Sequence, residues 1–124
     1  MTIRQDIADF LLDFKSALRG GLYSFVERQR NIQGLIDLGL TEPGDAVPLL
    51  LSLTPDDYCS GPEPDSDRPD EEVWVFGVEV EGTEAYVKVK RIDDPRSGIG
   101  CRALILSFHP AEHPLDYPLK GGGS

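Results

Sequence analysis

The stretch VWVFGVEVEGTEAYVKVK, residues 73–90, decides the fold class. Trp74, Phe76, Val78 and Val80 alternate with Val73, Val75, Gly77 and Glu79. After Glu81-Gly82-Thr83-Glu84 the alternation resumes, with Ala85, Val87 and Val89 set against Tyr86, Lys88 and Lys90. A period of two is the mark of a half-buried strand, because successive side chains point to opposite faces. Two such runs around a short Gly-containing link predict an antiparallel hairpin, with Gly82 at the first central position of a type II′ turn. Glu81 opposite Glu84 then sets Val80 against Ala85, Val78 against Val87 and Phe76 against Val89, all six on the core side. The other side carries Tyr86, Lys88 and Lys90. Gly77 is expected opposite Lys88, where a missing side chain leaves room for a ligand to approach the sheet.

Downstream, a third strand is predicted from Cys101 to Phe108. Leu104, Leu106 and Phe108 form its apolar set, and Ala103, Ile105, Ser107 and His109 the other. If this strand neighbours the hairpin, His109 and Ser107 join Tyr86 and Lys88 on one face. Cys101 falls with Ala103. Upstream the period is helical. Ile3, Ile7, Phe10, Leu11, Phe14 and Leu18 share one face of a helix capped by Thr2 and stopped at Gly20-Gly21. A short extended piece, Leu22 to Phe25, follows. A second helix runs from Glu27 to Leu38, with Ile32, Leu35 and Ile36 inward. A third starts at Thr41 or Asp45 and ends at Leu51, its prolines in the first turn. The stretch from Ser60 to Glu72 has three prolines and no aliphatic residue, so it reads as a loop that orders late, if at all, in the free protein. Helices first and an antiparallel meander after them predict an α+β fold, N-terminal helices packed on a small antiparallel sheet. Residues 1–120 make one domain, and the final GGGS, residues 121–124, reads as a linker remnant.

The 124 residues carry 12 basic and 22 acidic side chains, a formal charge of −10. That balance argues against a broad, sequence-blind grip on nucleic acid or on an anionic membrane, and no binding of DNA by the chain itself is expected. No run approaches the length of a membrane span, and MTIRQDIADF has acids where a secretory leader needs bases, so a cytoplasmic protein is expected. The charge is unevenly placed. Asp56 to Glu72 holds eight acids and one base, whereas Lys88 to Arg102 holds five bases and two acids. The bland reading is a solvated loop beside a solvated edge. The functional reading is a basic site for an anion, with an acidic segment that gates it or binds a partner.

Tyr, Lys, Arg and His on one surface suit attack on a phosphodiester. RNA carries its own nucleophile, the 2′-OH. The protein then supplies proton transfer and cations against the charge of the transition state. His109 is the candidate acid or base, because imidazole ordinarily titrates near neutrality. Lys88 holds the phosphate, with Lys90, Arg102, Ser107 and His113 as further binding candidates. Tyr86 stacks on a base or hydrogen-bonds the phosphate. The HPAEH run, His109 to His113, is not a zinc motif: its order differs from HExxH, and Pro110 and Pro114 flank it. Cys59 and Cys101 match neither a metal-ligand spacing nor a disulfide framework. No metal and no cofactor are expected.

From about Leu35 to Lys120 the chain resembles the MqsR family of toxins from type II toxin–antitoxin systems. LGL at 38–40, LSLTPDDYCSGPEPD from Leu51, VWVFG from Val73, AYVKV from Ala85 and LILSFHPAEHP from Leu104 carry the likeness. The resemblance implies a RelE-like fold, messenger-RNA endoribonuclease activity on free or ribosome-bound message, and neutralisation by a cognate antitoxin. It maps the family's active-site tyrosine onto Tyr86, the lysine two residues later onto Lys88, and the C-terminal catalytic lysine onto His109. Two further family positions fall on Ser60 and Val75, whose roles do not carry over. The competing reading is a non-catalytic interaction module that uses the acidic segment to hold a basic partner.

Overall fold

A computed structural model describes residues 3–120. The Thr2 cap and the terminal linker lie outside the described residues. Helix α1 (Ile3–Arg19) buries Ile7, Phe10, Leu11, Phe14, Ala17 and Leu18, as its spacing predicts, while Ile3 is exposed. Gly21, at φ 74°, lets the chain leave the helix and enter β1 (Tyr23–Phe25). Helix α2 (Gln29–Asp37), a 3₁₀ turn at Pro43–Ala46, and α3 (Val47–Leu51) follow. The other strands are β2 (Tyr58–Pro64), β3 (Glu72–Val80), β4 (Thr83–Asp93) and β5 (Cys101–Pro110). They form one sheet in the order β1-β5-β4-β3-β2. The fold is α+β. The sheet is mixed, not purely antiparallel, because β1 runs parallel to β5.

The hairpin keeps the expected faces but not the expected register. Val80 pairs with Thr83, Val78 with Ala85 and Phe76 with Val87, a slip of two residues. The central turn residues are Glu81 and Gly82, both with positive φ (51° and 83°), as in a type I′ turn, which matches the twist of the strands. A slip of two preserves parity, so Phe76, Val80, Ala85, Val87 and Val89 remain in the core together with Trp74, and Val78 is half-buried against it. Phe10 of α1 lies on this face, its ring 4.8 Å from that of Trp74. Gly77 now faces Tyr86, not Lys88. Its missing Cβ admits no ligand: Tyr117 and Leu115 of the C-terminal segment fill that space.

The third-strand pattern is half right. A bulge at Leu106 sets Ile105 opposite Val89 and Ser107 opposite Lys88. Cys101, Ala103 and Ile105 therefore point into the core before the bulge, and Phe108 after it. Leu104 and Leu106, expected inward, are only half-buried. Fully buried Asn31 on α2 secures the bulge. Its Nδ2 donates to the Val26 and Leu106 carbonyls at 2.8 and 2.9 Å, and its Oδ1 accepts from the Phe108 N–H at 3.2 Å. The Asn31 amide thus continues the ladder that β1 starts along β5, satisfying groups that would otherwise be orphaned.

This docking turns α2 to a different face from the one its aliphatics predict. Asn31, Gly34 and Leu35 are buried, whereas Ile32 and Ile36 are 45% and 59% exposed. Gly34 permits the approach: a Cβ there would lie 2.5 Å from His109 Cβ and 2.7 Å from the Phe108 carbonyl oxygen. Neither obstacle is the far end of a flexible side chain. Gly34→Ala gains about 1 kcal/mol of helix propensity, but overpacking against backbone costs about 1–3 kcal/mol or more. The expected net result is a loss of up to roughly 2 kcal/mol in urea unfolding, with a displaced His109. A variant more stable than the parent would show that α2 is not wedged against β5.

Candidate functional site

Cross-strand register assembles the site. Tyr86 lies opposite His109 and Lys88 opposite Ser107, all four on the face away from α1. Their side chains line a groove of about 430 Å³ with Arg28, Arg30, Glu112, His113 and Leu115. The C-terminal segment covers the neighbouring part of this face. The Leu115 N–H and the Tyr117 hydroxyl donate to the Glu84 carboxylate at 3.1 and 2.7 Å, which anchors the segment beside Gly77. One end of the sheet stays open, and the groove lies there.

His109 is 8% exposed. Its Nδ1 lies 2.9 Å from the Pro110 carbonyl oxygen. A carbonyl only accepts, so Nδ1 carries the hydrogen and Nε2 is the nitrogen left to gain and lose a proton. The Tyr86 ring stacks on the imidazole with centroids 5.3 Å apart and planes 22° from parallel. Burial raises the Tyr86 phenol above its ordinary pKa, with the charge of Glu63 adding to the effect and that of Arg30 opposing it. Near neutrality Tyr86 is therefore a hydrogen-bond donor or a stacking surface, not a base. Half-buried Lys88 has no hydrogen-bond or ion-pair partner among the described residues. Arg28 Nη2 donates to the Leu106 carbonyl at 2.6 Å, which fixes that guanidinium beside the bulge. Arg30 pairs with Glu112 at 2.6 Å.

The structure brings Tyr86, Lys88, Ser107, His109 and His113 together. It removes two expected members. Lys90 is 4% exposed, and its Nζ meets Asp65 at 2.5 Å and Glu71 at 2.6 Å, so it is committed to the acidic segment and does not line the groove. Arg102 pairs with Ile92, four residues along β4 from Lys88, or about 13 Å at ~3.3 Å per residue, and does not line the groove. The stretch expected to be a loop is instead β2, irregularly paired with β3, and a turn closed by the Asp65 N–H to Glu71 carbonyl bond at 2.9 Å. Its acids fold back onto the basic hairpin, and the Lys90 ion pairs tie them down.

Arg28 and Arg30 escaped the sequence reading. A faint signal was present in ERQR at 27–30: two cations at the start of a helix, where the macrodipole favours acids. Among the described residues no group of three or more His, Cys, Asp or Glu side chains is placed to hold a metal ion. Cys59 is half-buried, its thiol pushed up to about 12 by burial and by Glu84, Asp57 and Asp116, so it is a poor nucleophile. Buried Cys101 belongs to the core.

Against known proteins, the chain matches no family model, no curated protein and no solved structure. The geometry of the groove therefore carries the functional argument. No helix among the described residues is long and apolar enough to cross a membrane. A second hollow, of about 480 Å³, lies on the side of α1. Asp6, Asp9, Asp13, Asp70, Glu72 and Asp93 ring it, with Phe10 and Trp74 in its lining.

Proposed function

We propose that this chain is an endoribonuclease that cleaves mRNA without a metal, the toxin of an MqsR-type toxin–antitoxin pair with a RelE-like fold, acting in the cytoplasm. The observation that supports this reading is the groove itself. An imidazole with a free Nε2, a phenol and an unpaired ammonium line it together with two guanidinium groups. In the reaction, the 2′-oxygen of RNA bonds to the adjacent phosphorus as the P–O5′ bond breaks. The 2′-OH proton leaves to a base, and the 5′-oxygen takes a proton, giving a 2′,3′-cyclic phosphate and a 5′-OH end. His109 serves proton transfer, Lys88 and Arg28 oppose the charge building on phosphorus, and Tyr86 stacks on a base or donates to a phosphate oxygen. His113, at the rim, is the second imidazole in reach of the strand. A cognate antitoxin that covers this groove would bring acids to it.

The test is purified protein on naked RNA, with cut sites and end groups mapped. Cyclic-phosphate ends are expected, and Lys88→Met should lower the rate about 10²-fold or more, as removal of one transition-state charge partner does. Intact RNA, or ends of another kind, would end the nuclease reading. The acidic hollow around Phe10 and Trp74 favours the second reading, a non-catalytic module that holds a basic partner. Uncut RNA together with capture of a Lys/Arg-rich peptide, lost when Asp9 and Asp70 become Asn, is the result that supports it.

A further inference from the structure

Among the described residues that line the groove, Glu112 is the one acid, and its position is informative. The Arg30–Glu112 pair lines the main groove and also a second hollow of about 240 Å³, shared with Gln33, Asp37 and His109. The pair is thus the wall between two spaces that meet at the catalytic imidazole. Both side chains are more than half exposed, at 56% and 67%. An exposed ion pair is weak, so it opens readily when a better anion arrives. A phosphate diester offers Arg30 the same two-oxygen geometry as a carboxylate.

We propose that Arg30 is a second phosphate subsite, beside the reacting phosphate at Lys88, and that Glu112 occupies it as an internal stand-in until single-stranded RNA displaces the carboxylate and runs through both hollows. This rests on the nuclease reading for its substrate class. Displacement joins the hollows into one track and places successive phosphates against Lys88 and Arg30. The empty protein meanwhile keeps an exposed groove cation neutralised, which suppresses capture of adventitious anions.

The experiment uses a short single-stranded RNA with 2′-O-methyl groups, which binds but lacks the nucleophile, alongside the matching unmodified RNA. Glu112→Gln should tighten binding of the methylated strand about 2- to 5-fold at low salt, the factor an exposed ion pair is worth. Arg30→Gln should weaken it and lower the salt slope by about 0.7, one phosphate contact. In the double variant the gain from Glu112→Gln should vanish. Urea unfolding of each variant checks that these exposed substitutions leave the fold alone. No gain from Glu112→Gln, or a gain that persists undiminished beside Arg30→Gln, overturns the subsite. If the unmodified RNA is still cut in that case, the nuclease reading survives the loss. Coupled binding with no cutting fails the nuclease reading and leaves the subsite standing. No binding by parent or variant overturns both.

Discussion

His109→Ala should reduce RNA cleavage by about 10²–10⁴-fold, the range set by loss of one acid–base group. Arg30, Lys88 and Arg28 all remain in the groove, so the variant should still bind a methylated strand. What it lacks is Nε2, the nitrogen that the Nδ1 bond to the Pro110 carbonyl leaves free. The imidazole is also a packed group, 8% exposed and stacked on Tyr86. Its removal should therefore cost about 1–2 kcal/mol of stability as well. Urea unfolding separates the two effects, because a loss of that size leaves the chain folded at 25 °C. His113→Ala, at the exposed rim, should lower the rate less than His109→Ala does. A His109→Ala protein that cuts RNA within about 10-fold of the parent would remove the imidazole from the chemistry. Tyr86→Phe then tells the two roles of that ring apart. Stacking survives the change and a hydrogen bond to phosphate does not.

Lys90→Met should destabilise the fold by about 3 kcal/mol, the lower end of the cost of stripping one partner from a buried ion pair. Asp65 and Glu71 have side chains only 12% and 27% exposed, and both point at the same ammonium. Without it, two carboxylates face each other at the sheet. They must repel, take up a proton or swing out, and each route loosens the turn at 65–71. Restoring neutrality with Asp65→Asn and Glu71→Gln should recover most of the loss. The pH dependence has a definite sign. The hydrogen bond from Lys90 holds the Asp65 carboxyl below its ordinary range, aided by the Asp67 N–H. Burial alone would lower the Lys90 ammonium, but its bonds to Asp65 and Glu71 outweigh that and raise it. A depressed carboxyl stabilises the fold above its unfolded pKa of about 3.9 and stops doing so as pH falls through its folded value. A raised ammonium stabilises below its unfolded pKa of about 10.4 and stops as pH rises through its folded value. The gap between parent and Lys90→Met should therefore be flat from about pH 5 to 9 and narrow on the acid side below about 4. A gap under about 1 kcal/mol at neutral pH would mean that the ion pairs are solvent-screened after all.

Much of this protein was legible one residue at a time. The period of two across residues 73–90 named the hairpin and sorted its faces, because burial on one side of a pleated strand leaves no other parity. It placed Tyr86 and Lys88 on the side away from the core, and Ser107 and His109 with them. The aliphatic spacing of α1 named its buried stripe. The register was not legible: a slip of two residues keeps every face, so hydrophobicity is indifferent to it, and turn geometry decides.

Other features depend on partners far away in the chain. The bulge at Leu106 exists because the Asn31 amide, 75 residues upstream, satisfies the backbone there. Gly34 turns α2 so that Ile32 and Ile36 face outward, against the pattern of their own helix. Lys90 and Lys88 look alike in sequence, two steps apart on one face. Only the folded 65–71 turn makes the first a structural tie and leaves the second an open cation. Local periodicity records which side of an element is dry, so the sequence by itself determined the β3–β4 hairpin with its two faces, the buried stripe of α1, and the placing of Tyr86 and Lys88 on one side of the sheet. Which polar group meets which partner is a matter of non-local hydrogen bonds and charge pairs, and these come into being only when the chain has closed around them.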